Sequence, residues 1–261
     1  MKQRLDQALV DRGLCESRTR AQRLIMAGQV RINGQVGRKA GESVPPDSVL
    51  EVVHGERFAS RGGGKLEHAL TVFGIDVAGR PALDMGASTG GFTDCLLQRG
   101  ASRVWAVDVG QGQLVWRLRT DPRVVVMERT NARHLTPASF GSEFVPFDFI
   151  CIDCSFISLR LILPAAWRLL APGGSVVALI KPQFEAGREE VDRGEGVITD
   201  PAIHSRVISE LEAFVGREAS GVRWKGVTES PLPGPAGNRE FLVWLEATGA
   251  RGPSTVESGP L

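Results

Sequence analysis

Three charged side chains stand at the ends of predicted strands, where an α/β protein could use them in chemistry. Asp153 follows the apolar segment 147–152, and Lys181 follows the apolar segment 176–180. Glu240 precedes the last apolar segment, so it reaches the same edge if that strand runs antiparallel. Because open α/β sheets bind ligands at the carboxyl edge, the three side chains are predicted to converge on a ligand. Each one alone would be equally typical of a helix cap or an ion pair at the rim.

A glycine-rich turn supplies a second candidate site. The segment 82–93 predicts a buried strand that ends at Asp84, a tight turn at Gly86 and a helix that begins near Gly91. Gly86 permits the sharp turn, and Gly90 and Gly91 would let a ligand approach the backbone closely. The segment has neither the G-x-G-x-x-G spacing of dinucleotide sites nor the Lys-Ser/Thr of a P-loop. A cofactor that needs a diphosphate cradle is therefore less expected here than one without a diphosphate. The alternative to a binding site is an ordinary turn between strand and helix.

A second acid follows the next predicted strand and extends this pattern. Asp108 comes directly after the apolar segment 104–107, where a carboxylate could hold the hydroxyl groups of a ribose. S-adenosylmethionine fits because it has a ribose but no phosphate. The candidate cofactor-binding residues are Asp84, Gly86, Ser88, Gly90, Gly91, Phe92, Asp108 and Asn131.

The composition suits a globular protein with one α/β domain and a small additional module. The chain has 261 residues and a net charge of +1, and no apolar run approaches the ~20 residues that span a bilayer. It begins without an apolar signal core, and its four cysteines suit a reducing compartment, so a cytoplasmic location is expected. Cys151 and Cys154 have C-x-x-C spacing, but without a second pair we expect packing rather than metal binding or redox chemistry.

Positive charge is concentrated at the beginning of the chain. Residues 1–39 contain nine Lys and Arg but only three Asp and Glu, so the rest of the chain is slightly acidic. A small basic module joined to an acidic α/β domain is typical of an appendage that docks on nucleic acid. The alternative is a solvated basic face with no partner.

The first 53 residues resemble the S4 RNA-binding domain. The resemblance rests on Arg4-Leu5-Asp6, Arg12-Gly13-Leu14, Ser17-Arg18, Ala21, Leu24-Ile25, Gly28 and Val30-Arg31-Ile32-Asn33-Gly34. Local patterns agree, since they predict helices at 2–12 and 17–27, strands at 30–32 and 49–53, and a hairpin turn at Asn33-Gly34. The resemblance implies salt-dependent RNA contacts from Arg4, Arg12, Arg18, Arg20, Arg23 and Arg31.

Beyond this module, strands and helices alternate as in a doubly wound, mostly parallel Rossmann-like sheet. Besides the strand that ends at Asp84, strands are predicted at 103–108, 124–127, 147–153, 175–180, 222–228 and 241–246. Helices are predicted at 91–99, 157–170 and 202–215, with another that Lys65 opens. The predicted organisation is an S4-like domain at 1–53, a linker at 54–60, an α/β domain at 61–248 and a disordered tail at 249–261.

Up to about Ala247, the whole chain resembles the TlyA family. The motifs are Asp84–Thr93, Asp153-Cys154-Ser155-Phe156, Lys181-Pro182-Gln183-Phe184-Glu185 and Gly237-Asn238-Arg239-Glu240. Members are S-adenosylmethionine-dependent 2′-O-methyltransferases of ribosomal RNA, with a catalytic half of the FtsJ type, and some carry the older label haemolysin. The resemblance implies a cofactor, S-adenosylmethionine, no metal, ribosomal RNA or a ribosomal subunit as partner, and a catalytic set of Lys65, Asp153, Lys181 and Glu240.

That activity gives the four charged residues a chemical task. A ribose 2′-hydroxyl must lose its proton as it attacks the methyl group in line. Lys181 is the candidate base, or the group that orients the hydroxyl. A base role requires its neutral amine, which burial, Lys65 and the sulfonium charge would favour. Asp153 and Glu240 would favour the ammonium while they hold the lysines in place, so we expect a coupled network.

Further expectations concern the substrate and the competing functions. The shorter N-terminal form of the family implies a cytidine of 23S rRNA as the target. Residues 185–199 are predicted to form a mobile loop, in which Arg188 and Arg193 could contact phosphates. Phe184, just before this loop, could stack on a base or pack in the core. The competing functions are a non-catalytic RNA-binding ribosome assembly factor and a membrane-active haemolysin, and the lack of a spanning segment disfavours the second.

Overall fold

Two units make up the chain. The computed structural model describes residues 3–52, 57–142 and 144–249, and the chain divides into Met1–Arg57 and Phe58–Leu261. The predicted disordered tail, apart from Gly249, lies outside the described residues, as do residues 54–56 of the predicted linker.

The first unit has the two helices and two strands that its local sequence patterns predict, together with three further short strands. The Ser17 hydroxyl accepts a hydrogen bond from the Arg20 N–H at 3.3 Å and so begins the second helix. Asn33 and Gly34 have φ values of 49° and 81° and form the predicted hairpin turn. The described elements are β1 (Gln3–Arg4), α1 (Leu5–Asp11), α2 (Arg18–Met26), β2 (Val30–Ile32), β3 (Gln35–Val36), β4 (Ser43–Val44) and β5 (Leu50–Val52).

The first helix is shorter than predicted because strand pairing competes for its beginning. It starts at Leu5 rather than at residue 2, since Gln3 and Arg4 pair antiparallel with Val44 and Ser43. The pairing of β1 with β4 depends on residues about 40 positions apart, which a local pattern cannot indicate.

The second unit alternates strands with helices along the chain. Its described elements are α3 (Gly62–Phe73), β6 (Pro81–Met85), α4 (Gly91–Gln98), β7 (Arg103–Val107), α5 (Trp116–Arg119), β8 (Val124–Met127), β9 (Phe147–Ile152), α6 (Leu159–Leu169), β10 (Leu170–Ile180), α7 (Pro182–Glu185), α8 (Arg188–Arg193), α9 (Pro201–Glu218), β11 (Val222–Glu229) and β12 (Phe241–Ala247). Within the described ranges, none of the helices is long and apolar enough to cross a membrane.

The strands form one seven-stranded sheet in the order β11-β12-β10-β9-β6-β7-β8. Strands β6 to β10 are parallel, whereas β12 is antiparallel to both of its neighbours. The predicted Rossmann-like sheet is therefore confirmed. The reversal of β12 brings the start of that strand beside the carboxyl ends of the others, which is where Glu240 lies.

Both faces of this sheet are covered by helices, because its central strands are apolar on both sides. One face packs against α3 and α4 through Leu66, Leu70 and Leu96. The other face packs against α6 and α9 through residues such as Ile162 and Leu211. Two separate hydrophobic layers thus hold the strand ends at fixed positions, and the loops at those ends carry the candidate site.

Candidate active site

Two neighbouring cavities open at the carboxyl edge of the sheet. The smaller has a volume of about 290 Å³, and all four charged residues predicted as the catalytic set line it. The larger has a volume of about 450 Å³ and is lined by Asp108 and Asn131. Both cavities share Gly86, Ser88, Asp153 and Ser155 in their walls. The edge therefore offers two adjoining compartments with different chemistry.

Two ion pairs form the polar wall of the smaller cavity. Lys65 Nζ pairs with Glu240 Oε2. Lys181 Nζ lies 2.6 Å from Asp153 Oδ1 and donates a hydrogen bond to Ser155 Oγ at 2.8 Å. Lys65, Lys181 and Glu240 are only 7%, 8% and 1% exposed. Charges at this depth require partners, and each lysine has a carboxylate.

The helix α3 brings Lys65 to the edge, a placement that its sequence position alone does not fix. Gly63, in the first turn of α3, lets the helix approach the neighbouring turn closely. A Cβ atom on Gly63 would lie 2.8 Å from the Gly91 carbonyl oxygen, and one on Gly62 would lie 3.7 Å from Asp153 Oδ2. The first turns of α3 and α4 thus meet at the cavity, and Lys65 projects from the first of them.

The larger cavity has a carboxylate among apolar walls. Asp108 accepts hydrogen bonds from the Ser88 and Gly110 N–H groups at 2.8 and 2.7 Å. Asn131 accepts the Arg133 N–H at 3.0 Å and so caps a short 3₁₀ helix at the cavity wall. The apolar lining comes from Val107, Val109, Ile157 and Ile162.

Some predicted cofactor-binding residues support the turn rather than line a cavity. Asp84 is fully buried, accepts a hydrogen bond from the Thr93 hydroxyl at 2.6 Å, and lines neither cavity. Burial raises the pKa of Asp84 to about 7, against the opposing effect of the Thr93 hydrogen bond. Gly90 has a φ of 99°, and a Cβ atom there would lie 2.4 Å from the Leu118 side chain. Internal packing therefore requires a glycine at position 90, and its role in ligand approach stays a prediction. Gly86, Ser88, Gly91 and Phe92 do line the smaller cavity.

Of the two cysteines in the C-x-x-C segment, Cys151 is buried and Cys154 is partly buried. Cys151 and Cys154 each donate a weak hydrogen bond of 3.5 Å, to the carbonyl oxygens of Leu83 and Met85. Burial raises the pKa of Cys151 well above its usual range and that of Cys154 to about 12, so both are protonated at neutral pH. In the part of the chain that the structure describes, no cluster of three His, Cys, Asp or Glu residues could hold a metal ion.

Within the first unit, several predicted RNA-binding arginines hold the fold together. Asp6 is completely buried and pairs with Arg4 at 3.1 Å and Arg18 at 3.0 Å. The hydrogen bond from Arg4 is the largest of the effects that hold the pKa of Asp6 well below its usual range. Arg12 donates to the carbonyl oxygens of Pro45, Pro46 and Ser48, and Arg31 donates to that of Gly34.

Other basic side chains of this unit face solvent. Arg20 and Arg23 are exposed and form no ion pair with the residues that the structure describes. Arg31, Arg38 and Lys39 line an open groove of about 960 Å³ on the surface of the unit. Arg38 and Lys39 were not among the predicted RNA contacts, although the excess of positive charge in the segment includes them.

The sequence analysis did not single out two residues of the site that stand two and three positions after Asp153. Ser155 accepts the Lys181 hydrogen bond, and Phe156 lines the larger cavity while it is 90% exposed. Phe156 has a φ of 63°, which is rare for a bulky side chain, and its ring lies 5.3 Å from that of Phe184. Such strain is typical of functional sites. Both residues belong to the motif Asp153-Cys154-Ser155-Phe156, and their place next to Asp153 in this motif could have indicated that they lie in the site.

The predicted loop at 185–199 contains structure of its own. Helix α8 lies within it, with Arg188 and Arg193 both exposed. Arg188 is 3.7 Å from Asp192, and Glu190 pairs with Arg206 of α9 at 2.5 Å. Phe184 packs on Phe156 at the cavity mouth.

Comparison with known proteins matches both units. A model of FtsJ-like methyltransferases matches residues 58–247, and a model of the S4 domain matches residues 3–50. Bacillus subtilis YqxC, named as a candidate rRNA methyltransferase, is 51% identical over 249 residues, which are 95% of this chain and 87% of that protein. The 16S/23S rRNA (cytidine-2′-O)-methyltransferase TlyA of Mycobacterium tuberculosis is 50% identical over 246 residues, 93% of this chain and 89% of that one. A solved Streptococcus thermophilus protein, described as a candidate hemolysin, has a TM-score of 0.71 and 46% identity, covering 95% and 90% of the two chains.

Proposed function

The chain belongs to the TlyA family of FtsJ-like methyltransferases, and on this premise we propose that it methylates a ribose 2′-hydroxyl of ribosomal RNA. The observation that carries the proposal is the meeting of Lys65, Asp153, Lys181 and Glu240 in one cavity wall. Two amines and two carboxylates from distant parts of the chain, three of them almost fully buried, are more than the fold needs. Buried charges gathered in a cleft mark a functional site.

The cavities suit S-adenosylmethionine. Among the described residues that line the larger one there is no Lys or Arg, as expected for a nucleoside without phosphate. Asp108 would accept hydrogen bonds from the ribose hydroxyls, and the apolar walls around it would contact the adenine. Residues 86–92, where α4 begins, would hold the methionine part, because helix N-termini favour a carboxylate. When bound, the cofactor supplies an electrophilic methyl group on a positively charged sulfur.

Lys181 is placed to handle the proton of the 2′-hydroxyl. A lysine ammonium has three N–H donors; Ser155 accepts one of them, and Asp153 provides the counter-charge at 2.6 Å. A remaining donor can orient the hydroxyl of the RNA in the cavity, and the neutral amine can accept its proton. Lys65 and Glu240 form the opposite pair and keep a second amine beside the reacting groups. Orientation of this kind accounts for a large part of catalysis in methyl transfer.

The S4 unit would supply RNA affinity, through Arg20, Arg23 and the groove lined by Arg31, Arg38 and Lys39. We propose a cytidine of 23S rRNA, presented by the large ribosomal subunit in the cytoplasm, as the target. The Mycobacterium tuberculosis relative is named for both 16S and 23S rRNA, so the two subunits need separate tests.

The test is transfer of labelled methyl groups to purified large and small subunits and to protein-free rRNA, followed by nucleoside mass spectrometry. We expect 2′-O-methylcytidine in 23S rRNA. Lys181→Ala should reduce the rate at least about 100-fold, while a control, Lys225→Ala on β11, should retain it. Label found only on bases would refute the ribose assignment. Binding of subunits without transfer under any condition would favour the assembly factor.

A further inference from the structure

The segment around α8, residues 186–197, is fastened to the rest of the unit at both ends. At its beginning, Glu185 accepts the Ser158 hydroxyl and the Leu159 N–H, each at 2.6 Å. This carboxylate therefore caps helix α6 at the positive end of its dipole. The first attachment joins the α8 segment to the loop that follows Asp153.

At its other end, the backbone of Ile198 is held from both sides. The Ile198 N–H donates to Asn238 Oδ1 at 2.8 Å, and Asn238 Nδ2 donates to the Gly196 carbonyl oxygen at 2.9 Å. His204 Nε2 lies 2.9 Å from the Ile198 carbonyl oxygen and donates to it. Asn238 is only 2% exposed. An amide side chain suits this place because it donates and accepts at once.

These contacts lead directly to Glu240. Asn238 stands two residues before it in a tight turn, where the Gly234 N–H donates to the Asn238 carbonyl oxygen at 2.9 Å. A Cβ atom on Gly234 would lie 2.5 Å from Glu240 Oε1, so the turn encloses the carboxylate. The His204 ring packs edge-on against Phe241, 5.5 Å between centroids. Both groups that hold Ile198 thus contact the immediate surroundings of Glu240.

We propose that Asn238 is a positioning residue, which fixes the α8 segment to the turn that places Glu240. RNA phosphates that meet the exposed Arg188 and Arg193 would then act on the same rigid body that holds the Lys65–Glu240 pair. Substrate contact and the position of Glu240 are then coupled through the Asn238 amide, with the His204 contact beside it. This inference rests on the proposed function for its catalytic part, whereas the attachment of the segment can be tested without any activity.

The experiment compares the full-length wild type with Asn238→Ala, Asn238→Asp and a control, Val215→Ala. Asn238→Ala removes both hydrogen bonds, and Asn238→Asp keeps the acceptor but faces the Gly196 carbonyl with a second oxygen. Val215 is buried in α9, in the same hydrophobic cluster as Phe241, and forms none of the hydrogen bonds that hold Ile198. Its replacement should lower the melting temperature without releasing the α8 segment.

Three readouts separate positioning from general loss of stability. Trypsin should cleave after Arg188 and Arg193 about tenfold faster in both Asn238 variants, because local opening exposes the segment. The kcat/KM for the RNA substrate should fall about tenfold, since small misplacements of reacting groups are costly. The Kd for S-adenosylmethionine, measured by calorimetry, should stay within about twofold of the wild-type value, because Asn238 does not line the larger cavity.

The outcomes distinguish the two proposals. Cleavage of Asn238→Ala at the wild-type rate would refute the attachment, and so would equal acceleration in Val215→Ala. Faster cleavage with unchanged kcat/KM would refute the coupling to catalysis. If the wild type transfers no methyl group to any RNA, the proposed function fails, and with it the catalytic part of this inference, while the proteolysis result still decides the attachment.

Discussion

The buried pair of Lys65 and Glu240 allows a test that separates stability from catalysis. The two side chains are 7% and 1% exposed, so neither charge can be solvated if its partner is removed. Breaking a buried pair in this way costs about 3–5 kcal/mol, whereas replacing both members by apolar groups of similar volume is close to neutral. The chain offers such replacements in Lys65→Met and Glu240→Leu.

Each single variant is therefore expected to lose about 3 kcal/mol of unfolding free energy, and the double variant much less. Urea unfolding followed by tryptophan fluorescence gives these free energies, and the double-mutant cycle gives the coupling between the two positions. Methyl transfer to the RNA substrate is measured on the same preparations. All three variants should lose at least about 100-fold in kcat, because the double variant restores the fold but neither charge.

Two results would contradict this reasoning. If the double variant recovered both stability and wild-type kcat, the pair would be a structural feature of the cavity wall and nothing more. If each single variant lost less than about 0.5 kcal/mol, a typical effect of surface substitutions, the burial argument itself would be wrong. A double variant that is stable and inactive is the outcome that assigns the pair to catalysis.

Three further outcomes follow from other parts of the molecule. Burial raises the pKa of Asp84 from 3.8 to about 7, so its protonated form stabilises the fold by up to about 4 kcal/mol below pH 4, an effect lost as the pH rises to 7. Asp84→Asn should therefore flatten the pH dependence of unfolding in that range, and parallel curves would contradict this. Phe156→Ala should raise the Kd for S-adenosylmethionine about tenfold, because Phe156 lines the larger cavity, and Phe156→Trp should retain binding. An equal cofactor Kd in all three proteins would remove Phe156 from the cofactor site. Replacing Arg20 and Arg23 by Gln should reduce the salt slope of RNA binding by about 1.5, and an unchanged slope would place the RNA elsewhere.

The sequence predicted the parts of the site that depend on strand polarity. Apolar segments mark where strands end, and parallel strands end at one edge, so Asp153 and Lys181 could be assigned to that edge without coordinates. Glu240 was assigned only on the condition that the last strand is antiparallel, and the pairing of β12 with β10 confirms that condition. Assigning these three residues to one edge of the sheet required the directions of the strands but no side-chain positions.

Side-chain partners could not be predicted in the same way. Lys65 and Glu240 are 175 positions apart, and only the close approach of α3 to the glycine turn brings them together. Arg4 and Arg18 were predicted as RNA contacts from the resemblance to the S4 domain, and the sequence did not indicate that both also pair with the buried Asp6. The sequence shows that a side chain is charged. Which partner it pairs with depends on the groups that the folded chain brings within about 3 Å of it.

The two ion pairs in the polar wall of the smaller cavity differ in their surroundings. Lys65 faces a carboxylate that is almost completely buried, so its charge is neutralised by a partner that water cannot screen. Lys181 pairs with Asp153, whose side chain is 24% exposed, and donates a hydrogen bond to the neutral Ser155 hydroxyl. Both of these partners also line the larger cavity, whereas neither Lys65 nor Glu240 does. We therefore propose that Lys181 handles the proton of the reacting hydroxyl and that the Lys65–Glu240 pair is a fixed charge pair beside it.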